Sequence, residues 1–274
     1  MLDPTRRVER TAWRAGERAG GERIIPEETA VAFTYNGSSY AVMMATPQDF
    51  EDFAVGFSLT EGIIQSPSEI EALKIVEQPI GVELRMRLTE PHATAFRERR
   101  RYLAGPTGCG LCGIETLTEA MRTPTAVTDD STLTPKEIMA ALAALYGLQA
   151  INEMTHAVHG AAFYRTGEGL VALREDVGRH NALDKLIGAM AVAGIDPAEG
   201  FAVVTSRASY ELVQKCAVAG IGLLAAISRP TGLAVRMAEA AGITLAALLR
   251  GRSVNVYSHF GRVSAADPGG TARS

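Results

Sequence analysis

The chain is short of cysteine, short of aromatic residues and without long apolar runs, and each shortage excludes a class of protein. Three cysteines in 274 residues are too few, and odd in number, for a secreted scaffold held by disulfides; a reducing compartment follows, and the thiols are left free for chemistry. The longest uncharged apolar stretch, Ala217 to Ile227, is about half of the ~20 residues that a membrane-spanning helix needs. There is no basic excess either. With 27 Lys and Arg against 31 Asp and Glu, the formal charge is −4, which argues against wrapping nucleic acid by bulk charge. The N-terminal stretch has arginines but no apolar segment, and its Asp3, Glu9, Glu17 and Glu22 do not suit an acid-poor transit peptide. Residues 1–24 and 264–274 read as solvated, disordered tails.

What is present is ordinary globular composition, 47% apolar and 21% charged, enough for one large domain or two modest ones. Ala30 to Tyr35 and Ser39 to Met44 are β-prone runs flanking Asn36-Gly37, a strong hairpin signal. Thr46-Pro47 then looks like a helix start, with the helix ending at Gly62. Leu73 to Val76 and Val82 to Leu88 read as two further strands around a Pro79-Ile80-Gly81 turn. Residues 25–125 therefore form an α+β domain, ending in a long irregular loop at about 89–113 that carries a cysteine pair. A loop that long inside a compact chain is usually functional or disordered.

From Pro135 onward the pattern alternates. A helix over Pro135 to Tyr146, stopping at Gly147, precedes paired strands at Gly160 to Tyr164 and Gly169 to Leu173. A helix at Arg179 to Ala193, a strand at Phe201 to Thr205 and a helix at Ser209 to Ala219 follow, then Gly222 to Ile227 (strand), Thr231 to Ala241 (helix) and closing strands at Thr244 to Leu249 and Ser253 to Tyr257. Such alternation predicts a three-layer α/β domain over 126–263 with a mainly parallel sheet.

The sharpest chemical feature is Thr107-Gly108-Cys109-Gly110-Leu111-Cys112-Gly113. Two thiols, each flanked by glycine, sit on backbone free to adopt several conformations. A helix beginning at Ile114, with Arg97, Arg99, Arg100 and Arg101 nearby, would favour the thiolate. A zinc half-site, a dithiol redox centre and a sulfur-carrying nucleophile compete. A structural zinc needs four ligands, and the other candidate pair, His156 and His159, has a spacing one residue short of the usual. The zinc deaminase signature fails as well: the upstream histidine reads His92-Ala93-Thr94, with no glutamate. Cys216, in an apolar helical run, reads as a small buried hydrophobe.

Two strand-to-helix turns are candidate ligand sites. Arg174 to Lys185 places Asp176, Gly178 and Arg179 where a strand end meets a helix start, and Thr205 to Glu211 does the same with Ser206, Arg207 and Ser209. Pro230-Thr231 repeats the geometry one strand further. Helix N-termini with hydroxyls and arginines suit a phosphate.

Together, Gly-Cys-Gly-Leu-Cys-Gly, then Glu-Asp-Val-Gly-Arg-His-Asn-Ala-Leu-Asp-Lys, then Ser-Arg-Ala-Ser-Tyr-Glu-Leu-Val-Gln-Lys, in this order, resemble the FdhD family of sulfur carrier proteins required for formate dehydrogenase, over about residues 25–263. The resemblance implies a cytoplasmic sulfurtransferase, expected as a homodimer. It would take sulfur from a cysteine desulfurase as a persulfide on Cys109, assisted by Cys112, and deliver it to the molybdenum bis(molybdopterin guanine dinucleotide) cofactor for apo formate dehydrogenase. It also implies a cytidine deaminase-like fold for the larger domain, without zinc. The family usually has Thr-Gly-Gly-x-His where this chain has Thr155-His156-Ala157-Val158-His159, so His159 matches and His156 does not. Tyr257, Ser258, His259, Phe260, Gly261 and Arg262 occupy the stretch that in the family contacts the guanine dinucleotide. The expected cofactor site therefore combines those six residues with His159 and the strand-end residues. A zinc-stabilised cofactor chaperone using Cys109, Cys112, His156 and His159 is the rival reading.

Overall fold

The computed structural model describes residues 2–90, 92–94, 126–129, 131–249 and 253–264. Cys109, Cys112, the arginines at 97–101 and the helix expected at Ile114 lie outside the described residues. Of the long loop, the described 92–94 form a helical turn, with Ala93 buried and its N–H donating to Thr89 O at 3.0 Å.

The segment expected to be a disordered tail is instead a β-hairpin. Strands β1 (Thr5–Arg14) and β2 (Glu17–Pro26) pair antiparallel along their whole length. They turn at Ala15-Gly16, both with positive φ, 51° and 89°, the left-handed geometry that a two-residue hairpin turn demands. Arg and Glu on both faces hide the period of two, so no apolar alternation announces these strands.

Next comes a four-stranded sheet of order β4-β3-β6-β5, built from β3 (Thr29–Tyr35), β4 (Ser38–Ala45), β5 (Ile70–Gln78) and β6 (Gly81–Leu88). The Asn36-Gly37 turn is as expected, with φ of 49° and 76°. Val82, Leu84, Met86 and Leu88 alternate inward along β6 and, with Val31, Phe33 and Tyr35, meet helix α1 (Phe50–Thr60). Phe33 stacks on Phe57 at 4.1 Å between ring centroids and meets Phe53 edge-on at 5.0 Å, arrangements that aromatic rings favour. Helix α1 starts later than expected. Asp49, not Thr46, precedes it, because the polar groups of Thr46 are already engaged: its N–H donates to Asp176 Oδ2 at 3.0 Å and its hydroxyl accepts from Val177 N at 3.0 Å.

The second sheet has six strands in the order β12-β11-β10-β9-β7-β8: β7 (His159–Arg165), β8 (Gly169–Asp176), β9 (Gly200–Arg207), β10 (Leu223–Ser228), β11 (Thr244–Leu249) and β12 (Ser253–Val256). Period two assigns its residues to two cores. Phe201, Val203, Leu223, Ala225 and Ala246 face α2 (Pro135–Leu148), whereas Ala202, Val204, Leu224, Ala226 and Leu245 face α4 (Arg179–Ala193), α5 (Tyr210–Val218) and α6 (Gly232–Ala240). This is the expected three-layer α/β arrangement. The sheet is mixed rather than mainly parallel: β10 runs parallel to β9 and β11, but the pairs β7–β8, β7–β9 and β11–β12 are antiparallel. Short connections between β7 and β8 and between β11 and β12 permit no crossover helix there, and tight turns join only antiparallel strands. Thr134 caps α2 through a reciprocal capping box with Glu137, and α2 continues through Gly147 to Leu148, followed by an unforeseen short α3 (Ala150–Thr155).

Candidate functional site

The two sheets meet where α1 crosses α4, and polar residues lock the crossing. Asp176 and Lys185 are both fully buried and 2.7 Å apart. Asp176 Oδ2 also accepts from Thr46 N, while Oδ1 accepts from Gly178 N at 2.8 Å and Asn181 Nδ2 at 3.0 Å. Lys185 Nζ further donates to Thr46 O at 2.9 Å. A second knot lies along the same crossing: Lys215 Nζ donates to Asp184 Oδ1 and Oδ2 at 2.8 and 3.0 Å and to Thr60 Oγ1 at 3.0 Å. Burial works against the Lys215 ammonium, but the carboxylates of Asp184 and Glu61 outweigh it and raise its pKa. At the rim, Arg174 holds Asp52 at 2.6 Å. Asp176, expected to touch a cofactor, is therefore committed to holding the halves together. Its neighbours supply four donors, and its carboxylate is closed to solvent.

Other expected residues do converge at one edge of the six-stranded sheet. His159 opens β7 opposite Asp176 at the end of β8, and Gly160 N donates to Thr205 Oγ1 at 2.9 Å, so the end of β9 lies beside them. Arg207 pairs with Ser228 at the ends of β9 and β10, and Thr231 N donates to Ala208 O at 3.2 Å. Thus His159, Gly178, Arg179, Ser206, Arg207, Ser209, Pro230 and Thr231 share this edge. Neither Gly178, at the start of α4, nor Ser209, at the start of α5, caps its helix by a side-chain bond, and uncapped helix N-termini present N–H groups to anions. Arg207 is exposed, and Arg179 Nε is buried without a hydrogen-bond partner among the described residues. Thr231, by contrast, caps α6 by accepting from Ala234 N at 3.2 Å.

Two residues outside the expected cofactor set also lie at this edge. His180 Nε2 lies 3.2 Å from Glu211 Oε2, which also accepts from Ser209 Oγ at 2.8 Å. The bond from His180, then that from Ser209, holds the Glu211 carboxyl down at about 2 against the cost of burial. Burial and the nearby Arg179 lower the pKa of His159, favouring its neutral imidazole. The available signal was a histidine and a glutamate each in the first turn of successive helices.

Tyr257 to Arg262 do not join this edge. Strand β12 runs antiparallel to β11, so the chain returns to the opposite end of the sheet, where Tyr257 N donates to Leu245 O at 2.8 Å. Ser258 is fully buried, bonded to Leu245 N and Ile243 O. His259 Nε2 lies 3.0 Å from Glu239 O, Phe260 and Gly261 are exposed, and the Arg262 guanidinium is taken up by the carbonyls of Asp129, Gly222 and Gly242. The expected single site is therefore two places in one chain, because an antiparallel last strand reverses the direction that a parallel one would have kept. A cavity of about 340 Å³ between α1, α4 and α5, lined by Leu59, Ile187, Met190 and Val218, contains none of these residues. No helix among the described residues is long and apolar enough to cross a membrane.

The architecture defines a mixed α/β protein of two sheet-built halves locked by buried charges, with two uncapped helix starts and two arginines at one end of the larger sheet. The chain belongs to the FdhD/NarQ family, whose model matches residues 26–264. It is 54% identical over 259 residues to the protein of Agrobacterium fabrum called sulfur carrier protein FdhD, covering 94% of this chain and 96% of that one. A relative of the same name from Brucella abortus is 51% identical over 94% of this chain and 97% of its own length. Among solved structures, one titled a formate dehydrogenase accessory protein, from Desulfotalea psychrophila, matches with a TM-score of 0.73 and 25% identity over 96% of this chain and all of that one.

Proposed function

We propose that this protein is a cytoplasmic sulfurtransferase serving formate dehydrogenase. It accepts sulfur from a cysteine desulfurase on Cys109 and passes it to the molybdenum bis(molybdopterin guanine dinucleotide) cofactor destined for the apo-enzyme. The observation that carries the reading is the near full-length likeness to proteins named sulfur carriers, in a chain that holds the glycine-flanked pair Cys109 and Cys112. In the loading step the Cys109 thiolate attacks the outer sulfur of the donor's persulfide. A new S–S bond forms on Cys109, the donor's S–S bond breaks, and the donor's cysteine leaves as thiolate, so no oxidant or reductant is consumed. Cys112 assists release. The guanine nucleotide arm of the client is held at the strand-end edge, where Arg179, Arg207 and the starts of α4 and α5 meet a diphosphate. The working assembly is a homodimer.

Intact-mass measurement after incubation with a cysteine desulfurase and cysteine tests the sulfur step. Wild type gains one sulfur atom, Cys112→Ala gains it less efficiently, and Cys109→Ala gains none; a persulfide mapped to Cys216 overturns the assignment. Calorimetry with GDP and ADP tests the edge. GDP binds more tightly than ADP and Arg207→Ala weakens it; equal or absent binding of both nucleotides, unaffected by the substitution, refutes the site.

A further inference from the structure

The N-terminal hairpin lies outside the residues matched by the family model, which begin at the last residue of β2. An alignment of 259 residues with the Agrobacterium relative cannot fit between residue 26 and the C-terminus, so it reaches at least into β2. At ~3.3 Å per residue its ten-residue strands make an arm about 33 Å long. Among the described residues it meets the body through β2, which packs on α3, where Arg23 Nη2 donates to Thr155 O. The opposite end carries Trp13, paired with Arg18 and 70% exposed. A two-stranded hairpin with little packing is at best marginally stable in water, and a tryptophan held out at its tip is the kind of residue that anchors interfaces.

We infer that the arm docks on a second copy of this chain, in an exchange that seats Trp13 of each protomer on the α2–α3 corner of the other. Two observations select that occupant. Beside the arm, β2 packs on α3, and Met154 on that helix is 46% exposed, with Tyr146 and Leu148 at the end of α2 56% and 59% exposed. With the two-fold axis perpendicular to the arms, two arms packed side by side run in opposite directions, so each tip falls at the other's base, beside these residues. Charge agrees. The hairpin holds six arginines against three glutamates, so in a chain of net −4 the arm is +3 and the rest is −7, and the arm of one copy is drawn to the body of another. The inference rests on the two-copy assembly proposed above and names its contact.

Analytical ultracentrifugation of the full chain at low and high salt tests it, with Trp13→Asp and Met154→Asp as separate variants at exposed positions. Wild type is dimeric, dissociates more readily in high salt, and each variant raises the dissociation constant at least tenfold while circular dichroism stays unchanged. A wild type that is monomeric at all concentrations removes the assembly itself. A dimer indifferent to Trp13→Asp removes the arm, and one broken by Trp13→Asp but not by Met154→Asp removes the seat.

Discussion

Gly56 of α1 and Gly188 of α4 meet backbone to backbone. A Cβ built on Gly56 would lie 2.7 Å from Gly188 N and closer still to the Asp184 carbonyl, and one on Gly188 would lie 2.8 Å from Gly56 N and press on the Asp52 carbonyl. Neither glycine has a positive φ to serve; both are there because the helices touch. The close approach brings Thr46, Thr60 and Asp52 within reach of Asp176, Asp184 and Arg174. The signature stretch from Arg174 to Lys185 is thus, in large part, the seam between the halves.

Alanine at either glycine sets two magnitudes against each other. Helix propensity favours alanine by about 1 kcal/mol, whereas forcing a methyl group into a packed interior costs about 1–3 kcal/mol, with the upper end expected where the clash is with backbone. The clash wins, so Gly188→Ala lowers the urea midpoint, and a Gly188→Ala protein as stable as wild type contradicts the crossing.

The Asp176–Lys185 pair predicts strong non-additivity. Lys185→Met leaves a buried carboxylate without its cation and costs about 3–5 kcal/mol. Adding Asp176→Asn removes the stranded charge, so the double variant recovers much of the loss. Urea unfolding of the four proteins in the cycle measures this; additive single effects would show that the two groups do not sense each other.

How much of this was legible in the sequence follows from what each signal reports. Apolar periodicity and turn residues locate α4, β11 and the Asn36-Gly37 hairpin, because those elements are specified by local chemistry. The β1–β2 hairpin escaped because its side chains are charged on both faces, leaving the Ala15-Gly16 turn as its sole marker. Thr46 followed by Pro47 has the composition of a helix cap, yet its partners lie about 130 residues away in Asp176 and Val177, which no local pattern encodes. Strand direction is equally non-local: Tyr257 to Arg262 would have joined the strand-end edge had β12 run parallel. The edge itself was readable as three successive strand-to-helix turns. The bond from His180 to Glu211 was not, since it joins two helices through space.

The Glu211 carboxyl gives a pH dependence of definite sign. Its folded pKa of about 2 lies below the ordinary glutamate value, so the stability it contributes is fully present above about pH 4.5 and is lost as pH falls toward 2. Because the side chain is partly exposed, solvent screening limits the effect to about 1 kcal/mol. Glu211→Gln keeps an acceptor for His180 and Ser209 but cannot titrate. Between pH 6 and pH 3 the urea midpoint of wild type should fall further than that of the variant, and parallel curves would rule out the linkage.

Cys216 supplies an internal control for the sulfur assignment. It is fully buried within α5, and burial pushes its thiol up to about 12. Since the thiolate is the reactive form, only a very small fraction of molecules would carry it at pH 8 even if reagent could enter. Iodoacetamide on the native protein should therefore leave Cys216 unmodified, and denaturation should expose it to complete alkylation. Sulfur loading follows the same logic: an in-line approach to a donor persulfide needs an accessible thiolate, which Cys216 lacks in both respects. Peptide mapping after native labelling decides the matter. Rapid modification of Cys216 would mean that α5 opens readily, and with it the Lys215–Asp184 knot one residue away; the seam between the halves would then be far looser than its geometry requires.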